Sequence, residues 1–223
     1  EVIHGEYGRW VNDGMLHSVT NYELHKSLYS GLNYHNFFEI AHNVRRLEAI
    51  GTRLYTFLDN HDENRIASKL NKKAHLPLAC TLLFTLPGIP SIYYGGEWGL
   101  EGMRTRENDA ALRPCITLKE GEAKHSDLMD LIAKLARIHT ENPEFHGGRY
   151  QELLLTNRQY AFARHAQGSI CITAANSDDQ ESRLSIPVPL HASQAENLMD
   201  GYIIPVENGT LNLTLPGNSS VDR

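Results

Sequence analysis

Six polar or charged residues crowd into the stretch Asp59, Asn60, His61, Asp62, Glu63 and Arg65. A carboxylate beside a histidine can serve acid–base chemistry, stabilise developing positive charge, or hydrogen-bond the hydroxyls of a polyol. The residues before them, Leu54-Tyr-Thr-Phe-Leu58, form a short apolar run with one β-branched and two aromatic side chains. Such a run reads as a buried parallel strand. The polar cluster then falls where the strand emerges, the carboxyl end at which α/β enzymes place their chemistry. On composition alone, a solvated turn is an equal reading.

The elements that would hold this strand end alternate along the first part of the chain. Glu1-Val2-Ile3 reads as the tail of a strand and His4-Gly5-Glu6-Tyr7-Gly8 as a loop. Leu16–Tyr22 has strand composition. Phe37, Ile40, Ala41, Val44 and Leu47 recur at spacings of three and four, the mark of a helix, and Gly51 is its stop signal. After the Leu54–Leu58 strand come Ile66–Leu70 and the almost wholly apolar Ala74–Leu86, a buried helix ended by Pro87-Gly-Ile-Pro90. Ser91-Ile-Tyr-Tyr94 is the next strand, followed by the loop Gly95-Gly-Glu-Trp-Gly99. Leu128, Leu131, Ile132, Leu135 and Ile138 mark an amphipathic helix closed by Asn142-Pro143. This alternation indicates parallel βαβ units: about four strands, half of a (β/α)8 barrel.

The rhythm changes after Gly147-Gly148. Short strand-like runs follow at 150–156, 160–165, 169–175, 182–188, 195–199 and 210–215, with turn residues at Asn157, Gly168, Asn176–Asp179 and Asn208-Gly209. The expected fold is therefore α/β. Residues 1–145 would be half of a barrel and residues 146–223 a small antiparallel β-sandwich, the two packing directly; the resemblance given below makes it the C-terminal half.

Composition narrows the function. The net charge is −6 and no basic stripe is visible, so nucleic acid is not an expected partner. The apolar run Leu76–Leu86 is too short to span a bilayer, so no membrane partner is expected. Cys80, Cys115 and Cys171 are three and widely spaced, which argues against a disulfide framework or a zinc site and for free thiols in a reducing, cytoplasmic compartment. No cofactor is called for. The chain opens on Glu1-Val-Ile and no signal peptide is visible at its start. It reads as cut from something longer, which leaves export open. Most histidines lack metal-ligand spacing, and Glu107-Asn-Asp109 shows no EF-hand pattern. Trp10 and Trp98 read as packing residues before sugar platforms.

Three stretches carry a resemblance. Phe57-Leu-Asp-Asn-His-Asp62 resembles the Phe-x-x-Asn-His-Asp signature at the seventh barrel strand of the α-amylase family of glycoside hydrolases. Pro87-Gly-Ile-Pro-Ser-Ile-Tyr-Tyr-Gly-Gly-Glu-Trp-Gly99 resembles that family's eighth-strand motif, and Glu1-Val-Ile-His4 the end of its fifth strand. The resemblance implies a retaining enzyme acting on α-glucans or maltooligosaccharides. It makes Glu1 the proton donor and Asp62 the carboxylate that stabilises the oxocarbenium-like transition state. His61 would hydrogen-bond sugar hydroxyls, with Asn60, His4, Arg65 and Tyr94 lining the site and Glu97 structural. Cleaving an acetal requires a proton for the leaving oxygen and negative charge near the anomeric carbon, and a third carboxylate that grips the distorted sugar lowers the barrier further.

The family's nucleophile is an aspartate in a Gly-x-Arg-x-Asp motif, and no such motif occurs in these 223 residues. Gly102-Met-Arg-Thr-Arg106 has arginine in the aspartate's place. The chain alone is therefore expected to be inactive. Its exposed parallel strands call for a cover: a partner half-barrel, self-association or a rearranged fold. A transglycosylase of the same family and a non-catalytic amylase-like binding protein are the alternatives. A carbohydrate-binding module could describe only the tail, which has no tryptophan after Trp98.

Overall fold

A computed structural model describes residues 6–122 and 126–222. In chain order the elements are α1 (Tyr7–Trp10), α2 (Tyr22–Asn33), α3 (Phe37–Arg46), β1 (Tyr55–Phe57), α4 (Ile66–Lys69), α5 (His75–Thr85), β2 (Ile89–Ser91), α6 (Leu118–Glu122), α7 (Asp127–Glu141) and α8 (Pro143–Gly147). They are followed by β3 (Arg149–Leu155), β4 (Gln159–Ala166), β5 (Ser169–Asn176), β6 (Ser182–Pro187), β7 (Gln194–Glu196), β8 (Ile203–Glu207), β9 (Thr210–Leu215) and β10 (Ser219–Asp222). Glu1 and His4 lie outside the described residues.

The parallel part is small. β1 pairs in parallel with β2, Thr56 standing opposite Pro90. On its other side the Tyr55 N–H donates to the Val19 carbonyl (3.0 Å), and the Asn21 N–H to the Tyr55 carbonyl (2.8 Å). Leu16–Tyr22 is thus not the strand its composition suggests; among the described residues it makes two single bridges, Leu16 with Val11 and Thr20 with Tyr55. The chain then turns at Asn21, whose side chain accepts the Leu24 N–H (3.0 Å) and caps α2. The sequence reading missed this helix, although Leu24, Leu28 and Leu32 repeat every four residues and all three are buried. Among the described residues the parallel strands close no barrel.

β2 also starts earlier than expected. Gly88 turns the chain sharply with φ 152°, and the strand begins at once at Ile89. A Cβ on Gly88 would lie 2.4 Å from Thr56 Cγ2, so only glycine lets the strands approach here. Pro90 is tolerated because its missing N–H belongs to a short strand that pairs with β1 alone among the described residues.

The C-terminal part forms two four-stranded antiparallel sheets in the orders β10-β5-β4-β3 and β6-β9-β8-β7. β8 and β10 are additions to the runs read from sequence. β8 carries Pro205 and β10 begins with two serines, so neither shows an apolar alternation. Between the sheets Ala161, Ala163, Ile172 and Ala174 meet Leu184, Ile186, Leu211, Leu213 and Leu215. The other face of the first sheet sends Tyr150, Tyr160, Phe162 and Ala175 into the same core as Leu28, Phe37, Leu78 and Leu82 of the helices. The centre of β4 is therefore buried on both faces, with aromatic side chains toward the helices and alanines toward the second sheet.

Arg164, on the aromatic face of β4, is wholly buried. Its guanidinium donates to the carbonyls of Thr85 (2.9 Å), Phe145 (3.3 Å) and Gly148 (3.1 Å), at the ends of α5 and α8. Burial lowers its pKa to about 10. Replacing Arg164 with methionine leaves those carbonyls unpaired, and the expected loss of stability is about 2–4 kcal/mol in urea unfolding. Arg164→Lys should recover only part of it, because an ammonium cannot span all three acceptors.

Candidate active site

The polar cluster sorts into inward and outward side chains. Asp59 and Arg65 point in, with side chains 3% and 0% exposed and 3.8 Å apart. The Asp59 carboxylate also accepts the N–H of Ile66, the first residue of α4. Arg65 donates to the backbone carbonyls of Tyr94 (2.8 Å) and Leu112 (2.8 Å). Its guanidinium lies 4.6 Å from the Tyr93 ring centroid and 5.3 Å from that of Tyr94. Arg65 therefore cannot line a substrate site, contrary to the sequence reading. It is a buried bolt between the loops that follow β1 and β2.

Asn60 is corrected in the same way. Its Oδ1 accepts the N–H groups of Asp62 (3.0 Å) and Glu63 (2.7 Å), while its Nδ2 donates to the Tyr22 hydroxyl (3.0 Å). The side chain shapes the turn from within, as Asn does where it bonds the backbone two residues on.

His61 and Asp62 point out, with side chains 47% and 44% exposed. His61 Nε2 lies 3.2 Å from Asp62 Oδ2. On the other side Arg104 Nη2 lies 3.6 Å from Asp62 Oδ1. Sequence reasoning noted Arg104 only within Gly102-Met-Arg-Thr-Arg106 and did not connect it with Asp62, because the two are 42 residues apart. Tyr94 presents an exposed ring, and its hydroxyl donates to the Pro114 carbonyl (2.8 Å). Trp98 donates to Met129 Sδ (3.0 Å) and so has a packing role.

Beneath the turn lies a second polar group. Lys69 Nζ contacts Glu63 Oε2 (2.5 Å) and His25 Nε2 (2.9 Å) and sits 4.4 Å from the Tyr29 ring. His25 stacks on Phe57 at 4.7 Å and is buried. Burial first, and the Lys69 charge second, lower its pKa to about 3. It stays neutral at physiological pH and acts as a wall of the core. Among the described residues no group of three His, Cys, Asp or Glu could hold a metal ion. A cleft of about 390 Å³ opens between the two sheets, walled by Ile170, Val188, Leu190 and Leu198, but neither His61 nor Asp62 lines it.

The turn after β1 thus presents an outward His61–Asp62 pair, with Asp59 and Arg65 buried beneath it. Residues 15–143 match the family model of the α-amylase catalytic domain. The chain belongs to the α-amylase family. It is 28% identical over 190 residues to a cyclomaltodextrinase of Thermoanaerobacter pseudethanolicus, a match covering 81% of this chain and 32% of that protein. It is 27% identical over 186 residues to a cyclomaltodextrin glucanotransferase of Bacillus sp. (strain 1-1), covering 81% and 26%. Its fold matches a solved cyclomaltodextrinase with TM-score 0.83 at 23% identity, over 99% of this chain and 39% of that one. It also matches the α-amylase of Geobacillus thermoleovorans, solved with acarbose, with TM-score 0.81 at 19% identity, over 97% and 49%. The chain thus spans about a third or less of these curated relatives and under half of these solved chains.

The buried Asp59 makes stability depend on pH. Burial outweighs the Ile66 N–H and Arg65 and raises its pKa from an ordinary 3.8 to about 6. A raised carboxyl gives stability that is full below the unfolded value and lost as pH rises through the folded one. Relative to Asp59→Asn, the native chain should lose about 3 kcal/mol between pH 3 and pH 7 in denaturant titrations.

Proposed function

We propose that this chain carries part of a retaining site for α-glucosidic bonds in starch-like glucans or maltooligosaccharides. Residues 1–145 are the C-terminal half of the catalytic barrel and residues 146–223 the β-sandwich that follows it. The observation that carries the reading is the exposed His61–Asp62 pair on a turn whose other polar side chains are engaged in holding it. In this reading Asp62 grips the hydroxyls of the distorted sugar and stabilises the oxocarbenium-like charge, and His61 donates to a hydroxyl of the same unit. Glu1 gives its proton to the leaving oxygen, and His4 and Tyr94 flank the sugar. The nucleophile comes from residues outside this sequence, and a partner half-barrel, self-association or a rearranged fold covers the parallel strands. When a sugar hydroxyl takes the place of water, the same site performs transglycosylation. The relatives include both a cyclomaltodextrinase and a glucanotransferase, which keeps both outcomes in view.

Cys80, Cys115 and Cys171 are free thiols, which suits a reducing compartment such as the cytoplasm. Among the described residues no helix is long and apolar enough to cross a membrane.

The purified chain should bind maltotetraose in a calorimeter, with Asp62→Ala or His61→Ala weakening binding about tenfold. It should release no nitrophenol from a nitrophenyl maltooligosaccharide. Hydrolysis abolished by Asp62→Asn would place the nucleophile within the chain and correct that part of the proposal. Binding indifferent to both alanine substitutions would sink the site itself.

A further inference from the structure

Two loops run side by side next to Asp62. The segment 102–104, beyond β2, lies along the turn 62–68, and four hydrogen bonds join them. The Arg65 N–H donates to the Gly102 carbonyl (2.9 Å), and the Gly102 N–H to Ser68 Oγ (2.9 Å). The Arg104 N–H donates to Asn64 Oδ1 (2.7 Å), and Arg104 Nη2 to the Asp62 carbonyl (2.7 Å). The seam is tight, since a Cβ on Gly102 would lie 3.2 Å from Arg65 Cγ.

The same Nη2 stands 3.6 Å from Asp62 Oδ1, while His61 Nε2 stands 3.2 Å from Oδ2. Each carboxylate oxygen thus has one nitrogen beside it. The Arg104 backbone is fixed by Asn64, so its guanidinium reaches Asp62 from an anchored base.

We propose that Arg104 is a positioning residue for Asp62, holding the backbone carbonyl and the carboxylate together so that a single orientation of the carboxylate faces the sugar. That the carboxylate faces a sugar rests on the function proposed above; the contact itself does not. Arginine suits the task because the two N–H groups of Nη2 point in fixed directions within the guanidinium plane and can address the carbonyl and the carboxylate together, whereas an ammonium is a freely rotating point charge.

The test combines two readouts on the whole chain. With carbon-13 labelling, Arg104→Ala should move the Asp62 carboxyl and carbonyl resonances, and Arg104→Lys should restore them in part. Arg106→Ala should leave them unmoved, because Arg106, exposed on the same loop, has no ion pair among the described residues. In calorimetry Arg104→Ala should weaken maltotetraose binding about fivefold. The double variant Asp62→Ala/Arg104→Ala should bind no more weakly than Asp62→Ala alone, since the two act as one unit. Unmoved Asp62 resonances, or losses that simply add, overturn the proposal. If the native chain binds no maltotetraose, the proposed function fails, while the resonances still decide the role of Arg104.

Discussion

A guanidinium with no access to water holds the site together. Arg65 reaches the carbonyls of Tyr94 and Leu112, lies against the rings of Tyr93 and Tyr94, and faces Asp59 across 3.8 Å. Its own N–H joins the Gly102 carbonyl. Five N–H donors in a rigid fork can tie several chain segments at one point, which no other side chain does as well. The loops after β1 and β2 thereby behave as one body, and His61 and Asp62 stand on it. Burying the pair has a cost, visible in the raised pKa of Asp59. The arrangement favours a single geometry over maximal stability.

A second buried guanidinium does a different job. Arg164 meets three carbonyls, at the ends of α5 and α8 and at Gly148. Helix C-termini carry partial negative charge, so a cation among their last carbonyls is favourable. It seats β4 against the helices, and the aromatic side chains of the same strand complete a core shared by helices and sheet. Tyr150 and Tyr160 satisfy each other there through a hydroxyl pair at 2.7 Å. The start of α3 depends on the same contact, because the Phe37 N–H donates to the Asn157 carbonyl in the β3–β4 turn (3.0 Å). The helical layer and the first sheet therefore complete each other's hydrogen bonding as well as their packing.

The sequence by itself determined what depends on short-range pattern. The apolar run ending in Asp59–Arg65, the periodic faces of α3 and α7, the buried α5 and six of the eight strands after Gly148 follow from spacing and turn residues. It also carried the family, because the Asn60-His61-Asp62 and Tyr93-Tyr94-Gly95 stretches are contiguous in the chain. Where the pattern was weak it failed. α2 has its leucines spaced among polar residues and Gly31, and β10 has almost no apolar side chain to alternate.

Only the tertiary structure decided which of six neighbouring polar residues face water. His61 and Asp62 turn outward, while Asp59, Asn60 and Arg65 turn inward to partners on Ile66, Tyr22, Tyr94 and Leu112. It also brought Arg104 to Asp62 from 42 residues away. The physical reason is that a polar side chain goes where its hydrogen bonds can be met. Those partners come from other loops, whose positions no local run of residues encodes.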